Sequence, residues 1–251
     1  MKPNVWIKAG LVIIYGESID AASHKHHAIQ LAWPRKERTC RFGEQQVTTP
    51  LIIDSNVEHQ LQMEEGWILL VEPTSELGVA LSARLNDKPF YVLEAFSAYQ
   101  GSDQIDDIVV LLSSLFETLA LPVQSISFNE SQITDERIRK LILNLHDCLG
   151  GDCIKPTNWR ASEVAESMAL SESRFLHLFS EELGIPWRPY LLWCRMICAV
   201  KSILNGESAT HAAYQAGFSD SAHLSRTFKS TFGITIRQAN GIFQLKQRNQ
   251  T

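Results

Sequence analysis

The sequence predicts an α+β chain of two domains. The first is a β-barrel or sandwich with helices, and the second is all-α with two helix-turn-helix units. Three observations carry this. Short apolar or alternating runs fill residues 1–100, apolar spacing of three and four residues takes over from Gln104, and the segment 161–185 recurs at 209–234. At 251 residues, 45% hydrophobic and 20% charged, the chain has the length and composition of two globular domains. The boundaries expected are 1–122 for the first domain, 123–132 for a linker and 133–251 for the second.

The strands are read from Leu11–Tyr15, Ala28–Trp33, Leu51–Ile53 and Trp67–Val71, each an apolar or alternating run bounded by polar or turn-rich stretches. Thr74–Leu85 reads as a short helix, with Thr74 as its cap and Glu76 in its first turn. Gln104–Leu121 is amphipathic, with Ile105, Ile108, Val109, Leu112, Leu115, Phe116 and Leu119 on one stripe. It either packs on its own domain or forms a dimer contact, and different faces allow both. Pro122 ends it, and the polar run Val123–Ser131 is the domain boundary. Thr134–Leu149 is the next helix, with Thr134 as cap and Gly150-Gly151 as the stop.

No apolar run approaches the roughly 18 residues that cross a membrane. The stretch Ala9–Gly16 lacks a small-residue cleavage site and reads as the first strand rather than a leader. The five cysteines, Cys40, Cys148, Cys153, Cys194 and Cys198, are odd in number and fit a cytoplasmic, reducing setting. The net charge of -5 is unevenly spread: residues 1–130 carry -8, whereas residues 186–251 carry +6. A basic end on an acidic body points to a polyanionic partner for that end alone.

The repeat is detailed. Ala161 pairs with Ala209, Ala165 with Ala213, Ser171 with Ser219, Ser173 with Ser221 and Leu176 with Leu224. After a one-residue slip, Phe179 pairs with Phe228, Gly184 with Gly233 and Ile185 with Ile234. Ala165 and Ala213 are small where two helices cross closely. Ser171 and Ser219 are placed as N-caps, and Gly184 and Gly233 as C-caps. Gly217 suits a turn that needs positive φ, where the first copy has Ala169 instead. Between the copies, Trp187–Leu204 has helical spacing in Tyr190, Leu191, Cys194, Ile197, Cys198 and Leu204, with Gly206 beyond its end. Such a helix would hold two groove-reading units about one DNA turn apart, roughly 34 Å. Cys194 and Cys198 read as small core side chains within that stripe.

The runs Leu170–Gly184 and Ala216–Gly233 resemble the two motifs of AraC/XylS-type transcription regulators, over roughly residues 133–243. The resemblance implies a seven-helix DNA-binding domain with two recognition helices and, before it, an effector or dimerisation domain. Carried over by position, the first recognition helix presents Ser173, Arg174, Leu176 and His177. The second presents Ser221, Ala222, His223, Ser225 and Arg226, with Lys229 near phosphate. Arg226 is the first choice for a base contact, because its planar fork binds guanine O6 and N7 together. Where the family commonly has Arg or Lys, the first helix has His177 and Ser180, and Glu172, Glu181 and Glu182 lie nearby. The second motif is therefore expected to supply most of the electrostatic affinity.

The first half has its own constellation in His24, His26, Gln30 and, later, His59. On one strand, His24, His26 and Gln30 would share a face by parity. The order resembles the metal motifs of cupin barrels, and Gln30 stands where their carboxylate does. An amide is neutral and a poorer ligand. The four residues are accordingly expected to contact a small-molecule effector or to form a structural polar cluster, with no metal and no cofactor. The leading expectation is a DNA-binding regulator and not an enzyme, acting on double-stranded DNA with a small-molecule effector. A homodimer is possible, RNA polymerase is a partner if it activates, and no membrane is involved. The alternative is a cupin-type metal-dependent enzyme with a helical extension.

Overall fold

Two long strands organise the first half. The computed structural model describes residues 5–8, 10–93, 113, 116–117, 133–150 and 159–244. In it β2 (Leu11–His24) and β7 (His59–Val71) pair antiparallel, from Leu11 opposite Val71 to His24 opposite His59. Around them stand β1 (Val5–Lys8), β3 (Ile29–Pro34), β4 (Cys40–Phe42), β5 (Gln45–Val47), β6 (Leu51–Ile53) and β8 (Phe90–Val92). The order β1-β2-β7-β3-β6-β8, with β4 bridging β5 and β7, makes a nearly closed antiparallel barrel. Alternation explains it: Leu11, Ile13 and Tyr15 of β2 enter the same core as Trp67, Leu69 and Val71 of β7. Trp33 and Trp67 lie opposite each other across β3 and β7. Gly66 is glycine because a Cβ there would meet the Trp33 carbonyl oxygen at 2.4 Å.

The four expected runs are all strands, but β2 and β7 extend well beyond them through polar residues. Their outward faces alternate with the core face, so the apolar run alone understated their length. Helix α1 (Glu76–Leu85) covers the core with Leu77, Leu81 and Leu85. Its cap is Ser75 rather than Thr74, since the Ser75 hydroxyl accepts from the Gly78 N–H at 3.0 Å. Of the expected helix Gln104–Leu121, Ser113, Phe116 and Glu117 are helical, and Phe116 is buried in the barrel core. The rest of that helix, Pro122, the 123–132 linker and Cys153 lie outside the described residues.

From Glu136 the chain is helical: α2 (Glu136–Gly150), α3 (Ala161–Ser167), α4 (Glu172–Leu183), α5 (Trp187–Leu204), α6 (Ala209–Gln215), α7 (Ser221–Phe232) and α8 (Ile236–Gln244). The seven helices implied for the second half are thus present among the described residues. The cap of α2 is Asp135, whose carboxylate accepts from the Arg137 N–H at 2.9 Å, while Thr134 donates to Glu182 instead. Phe175 and Phe179 of α4 pack edge-to-face on Trp187 of α5, and Phe179 also meets Tyr190.

The contacts divide the chain into two compact units, residues 1–128 with 225–251, and residues 129–224. Within the first unit α8 packs on β2, and the Ala22 N–H donates to the Gly233 carbonyl at 3.0 Å.

Candidate nucleic-acid interface

Each copy of the repeat forms its short helix, turn and longer helix as the spacing requires. In the first, α3 turns through Ala169 into α4. Ser171 caps α4 by accepting from the Arg174 N–H at 3.3 Å, and Gly184 closes it with φ +66°. In the second, α6 turns through Gly217, with φ +75°, into α7, and Gly233 follows with φ +70°. Ala169 takes φ +54°, so the alanine copy adopts the same left-handed turn that glycine makes in the other. Ala165 and Ala213 are each 1% exposed, which fits their place where helices cross. One cap differs from expectation. The start of α7 is capped by Asp220, whose carboxylate accepts from the His223 N–H at 2.6 Å, while Ser219 Oγ turns to Asp220 and to His223 Nδ1. A carboxylate suits this place, because it meets the positive end of the helix dipole.

The predicted reading residues lie mostly on the outer faces. Ser173, Arg174 and His177 are exposed on α4 and Leu176 is half-buried. On α7, Ala222, Ser225, Arg226 and Lys229 are exposed, while Ser221 and His223 are half-buried. His177 and His223 among them are engaged locally. His177 Nδ1 lies 3.0 Å from Glu181, one turn along α4. The His223 ring sits edge-on to Phe218, 5.3 Å between centroids, besides its contact with Ser219. The first helix therefore offers Arg174 as its principal cation, and the second offers both Arg226 and Lys229.

Sequence reasoning missed Arg195. It projects from α5, and its guanidinium donates to the Ala216 carbonyl at 2.9 Å and the Gly217 carbonyl at 2.6 Å. It also lies 4.2 Å from the centre of the Phe218 ring. Burial lowers its pKa. One planar fork thus holds both carbonyls of the second turn and ties the reading unit to the spacer. A lone arginine within the apolar stripe of α5 was the available signal. Cys194 and Cys198 are buried on that helix, as expected of core side chains.

The histidine cluster forms, though not on one strand. His24 ends β2, His26 lies in the turn that follows, Gln30 is on β3, and His59 begins β7 opposite His24. The connection from β2 to β3, not strand parity, brings the first two together. The His24 and His59 ring centres are 4.2 Å apart, and His26 is 5.6 and 5.5 Å from them. His26 Nε2 faces Gln30 Oε1 at 2.9 Å. Burial is the chief cause that pushes His26 and His59 down to about 4, with neighbouring histidines adding to it, and burial also lowers His24. His27 turns instead to Glu72 at 2.7 Å.

Residues 164–240 match the family model described as a helix-turn-helix domain. The second half therefore carries a helix-turn-helix domain over these residues, as its duplicated motifs led us to expect. Among curated proteins, the HTH-type transcriptional activator RhaS of Escherichia fergusonii is 29% identical over 147 residues, covering 58% of this chain and 50% of RhaS. The virulence regulon transcriptional activator VirF of Yersinia enterocolitica is 30% identical over 82 residues, covering 32% of this chain and 30% of VirF. The chain thus spans half or less of the length of these curated relatives. Among solved structures, apo ToxT from Vibrio cholerae aligns with a TM-score of 0.52 at 15% identity, over 93% of this chain and 98% of that one. This likeness supports the two-part architecture of barrel and helical domain. Among the described residues, no helix is long and apolar enough to cross a membrane.

Proposed function

We propose that the whole chain is a sequence-specific transcription regulator and not an enzyme. In this reading α4 and α7 enter successive major grooves of double-stranded DNA, and a small-molecule effector bound in the barrel modulates them. The carrying observation is the duplication itself: two left-handed turns each lead into a capped helix with a polar outer face, and α5 joins the two units. Arg226 is the proposed base-reading residue, with Arg174 as its counterpart. Lys229 serves phosphate, and Ser173, Leu176, His177, Ser221, Ala222, His223 and Ser225 complete the two contact faces. His24, His26, Gln30 and His59 are the proposed effector region. A homodimer, and RNA polymerase as partner in activation, belong to the same proposal, as does a cytoplasmic setting where the DNA is. The names of RhaS and VirF, both transcriptional activators, support the reading.

The test is selection of bound sequences from random duplex DNA by the purified chain. The expected product is a bipartite site whose halves lie about 10–10.5 base pairs apart, centre to centre. A pool that stays unenriched with folded protein would sink the proposal.

A further inference from the structure

We propose that His24, His26 and His59 bind a divalent transition-metal ion of the kind that takes imidazole nitrogen, with Zn²⁺ as the reference ion. This reverses the expectation of no metal, which rested on Gln30 standing in a carboxylate position. Any regulatory meaning of the ion rests on the proposed function above, whereas the binding itself does not.

The geometry carries it. The three side chains are buried, and one ring nitrogen from each lies within 4.8 Å of the other two. Every ring places Nδ1 against a main-chain carbonyl: His24 on Ala22 at 2.8 Å, His26 on Ala28 at 2.9 Å and His59 on Val57 at 2.9 Å. A neutral imidazole has one N–H. Spent at Nδ1, it leaves a lone pair on Nε2 of each ring. Imidazoles that hold metals are oriented this way, with the far nitrogen tied to a carbonyl. A merely structural cluster would use its N–H groups to satisfy its own acceptors. Here all three are directed to the main chain, and His59 Nε2 is buried with no hydrogen-bond partner.

Gln30 fits the same account. With the His26 N–H given to Ala28, both His26 Nε2 and Gln30 Oε1 are acceptors, 2.9 Å apart. A cation beside them reconciles the pair and can take the amide oxygen as a further ligand. Rotation of the Gln30 amide would reconcile them differently, by donating to His26 Nε2 and removing it as a ligand. The set has three nitrogens and no anion, which selects ions that favour imidazole over magnesium or calcium. Bonds of about 2.0–2.1 Å to zinc put tetrahedral ligands ~3.4 Å apart, so the rings close in by roughly 1 Å on binding. Phe42, 6.2 Å from His59 between ring centres, provides an apolar wall.

The experiment uses the full chain, stripped with chelator and dialysed against Zn²⁺ alone. Bound metal is counted, and the zinc K-edge absorption spectrum of the wild type is recorded. One zinc per chain is expected, with imidazole scattering in the first shell. His26→Ala and His59→Ala should each weaken binding by about tenfold or more, with helical circular dichroism unchanged. Absence of zinc from folded wild type overturns the proposal. So does a first shell containing cysteine sulfur, or full retention of zinc in both variants. If the variants do not fold, the wild-type spectrum decides between imidazole and other ligands.

Discussion

Ala169 and Gly217 hold equivalent left-handed turns with different side chains, φ +54° and +75°. A Cβ in that region costs roughly 1–2 kcal/mol, partly offset by the freedom glycine adds to the unfolded chain. Ala169→Gly is therefore expected to stabilise the protein by about 0.5 kcal/mol, and Gly217→Ala to destabilise it by about 1 kcal/mol. Urea melts of the two variants check this, and a loss of stability in Ala169→Gly would count against the strain argument. Glu65 is a second residue with a clear expectation. Tyr15 donates to it, Arg35 lies 2.5 Å away and Arg38 3.3 Å away. Burial alone would raise its pKa, but the hydrogen bonds from Tyr15 and Arg35 and the charges of both arginines outweigh it and leave it lowered. A carboxylate lowered in the fold adds stability that is present above its unfolded value of about 4.5 and is lost as pH falls through the folded value. Between about pH 6 and pH 3 the wild type should thus lose more stability than Glu65→Gln. Parallel slopes in urea melts across that range would refute it. Ala169 was legible as the odd residue of the repeat, because it stands where the other copy has Gly217, whereas the network of Glu65 was not, because contacts between residues 50 positions apart leave no local pattern.

At the scale of elements, α5 matters more than a spacer would. Its ends, Trp187 and Leu204, were read correctly from helical spacing, because eighteen residues of periodic pattern leave little ambiguity. Its grip on the second turn was not, because Arg195 acts on carbonyls more than twenty residues away. Arg195→Ala should cost about 2 kcal/mol, in the range for hydrogen bonds to a charged group. Lysine should not rescue it, since one ammonium does not reproduce the planar fork. Rescue by Arg195→Lys in thermal melts would contradict this role. Caps were legible to within a residue: Ser75 replaces Thr74, Asp135 replaces Thr134 and Asp220 replaces Ser219. Adjacent Ser, Thr and Asp all have capping chemistry, and only the chain path decides which of them reaches the N–H groups. The histidines show the converse. Their types and order were legible, but the parity argument placed His24, His26 and Gln30 on one strand, whereas His24 ends β2, His26 lies in the turn that follows and Gln30 is on β3.

For the molecule as a whole, the division into barrel and helical domain was legible because the two halves differ in apolar period. The contact-based units assign residues 225–251 to the first, a long-range packing choice that sequence spacing does not encode. The charge asymmetry is the property with functional reach. Arg226 and Lys229 are exposed on α7, while the His177 of α4 is drawn to Glu181. Lys229→Ala should weaken binding similarly across sequences and flatten the salt dependence by about one unit of slope. Salt titrations by fluorescence anisotropy would show it, and an unchanged slope would remove Lys229 from the phosphate contacts. The central claim is that the duplicated readers are unequal and that the second anchors the complex. Gel-shift titrations of Arg226→Ala and His177→Ala on one selected site, at one salt concentration, test it most directly. Arg226→Ala should lose about 1–3 kcal/mol of binding and relax the base preference at one position, with a smaller loss from His177→Ala; a larger loss from His177→Ala would contradict the account.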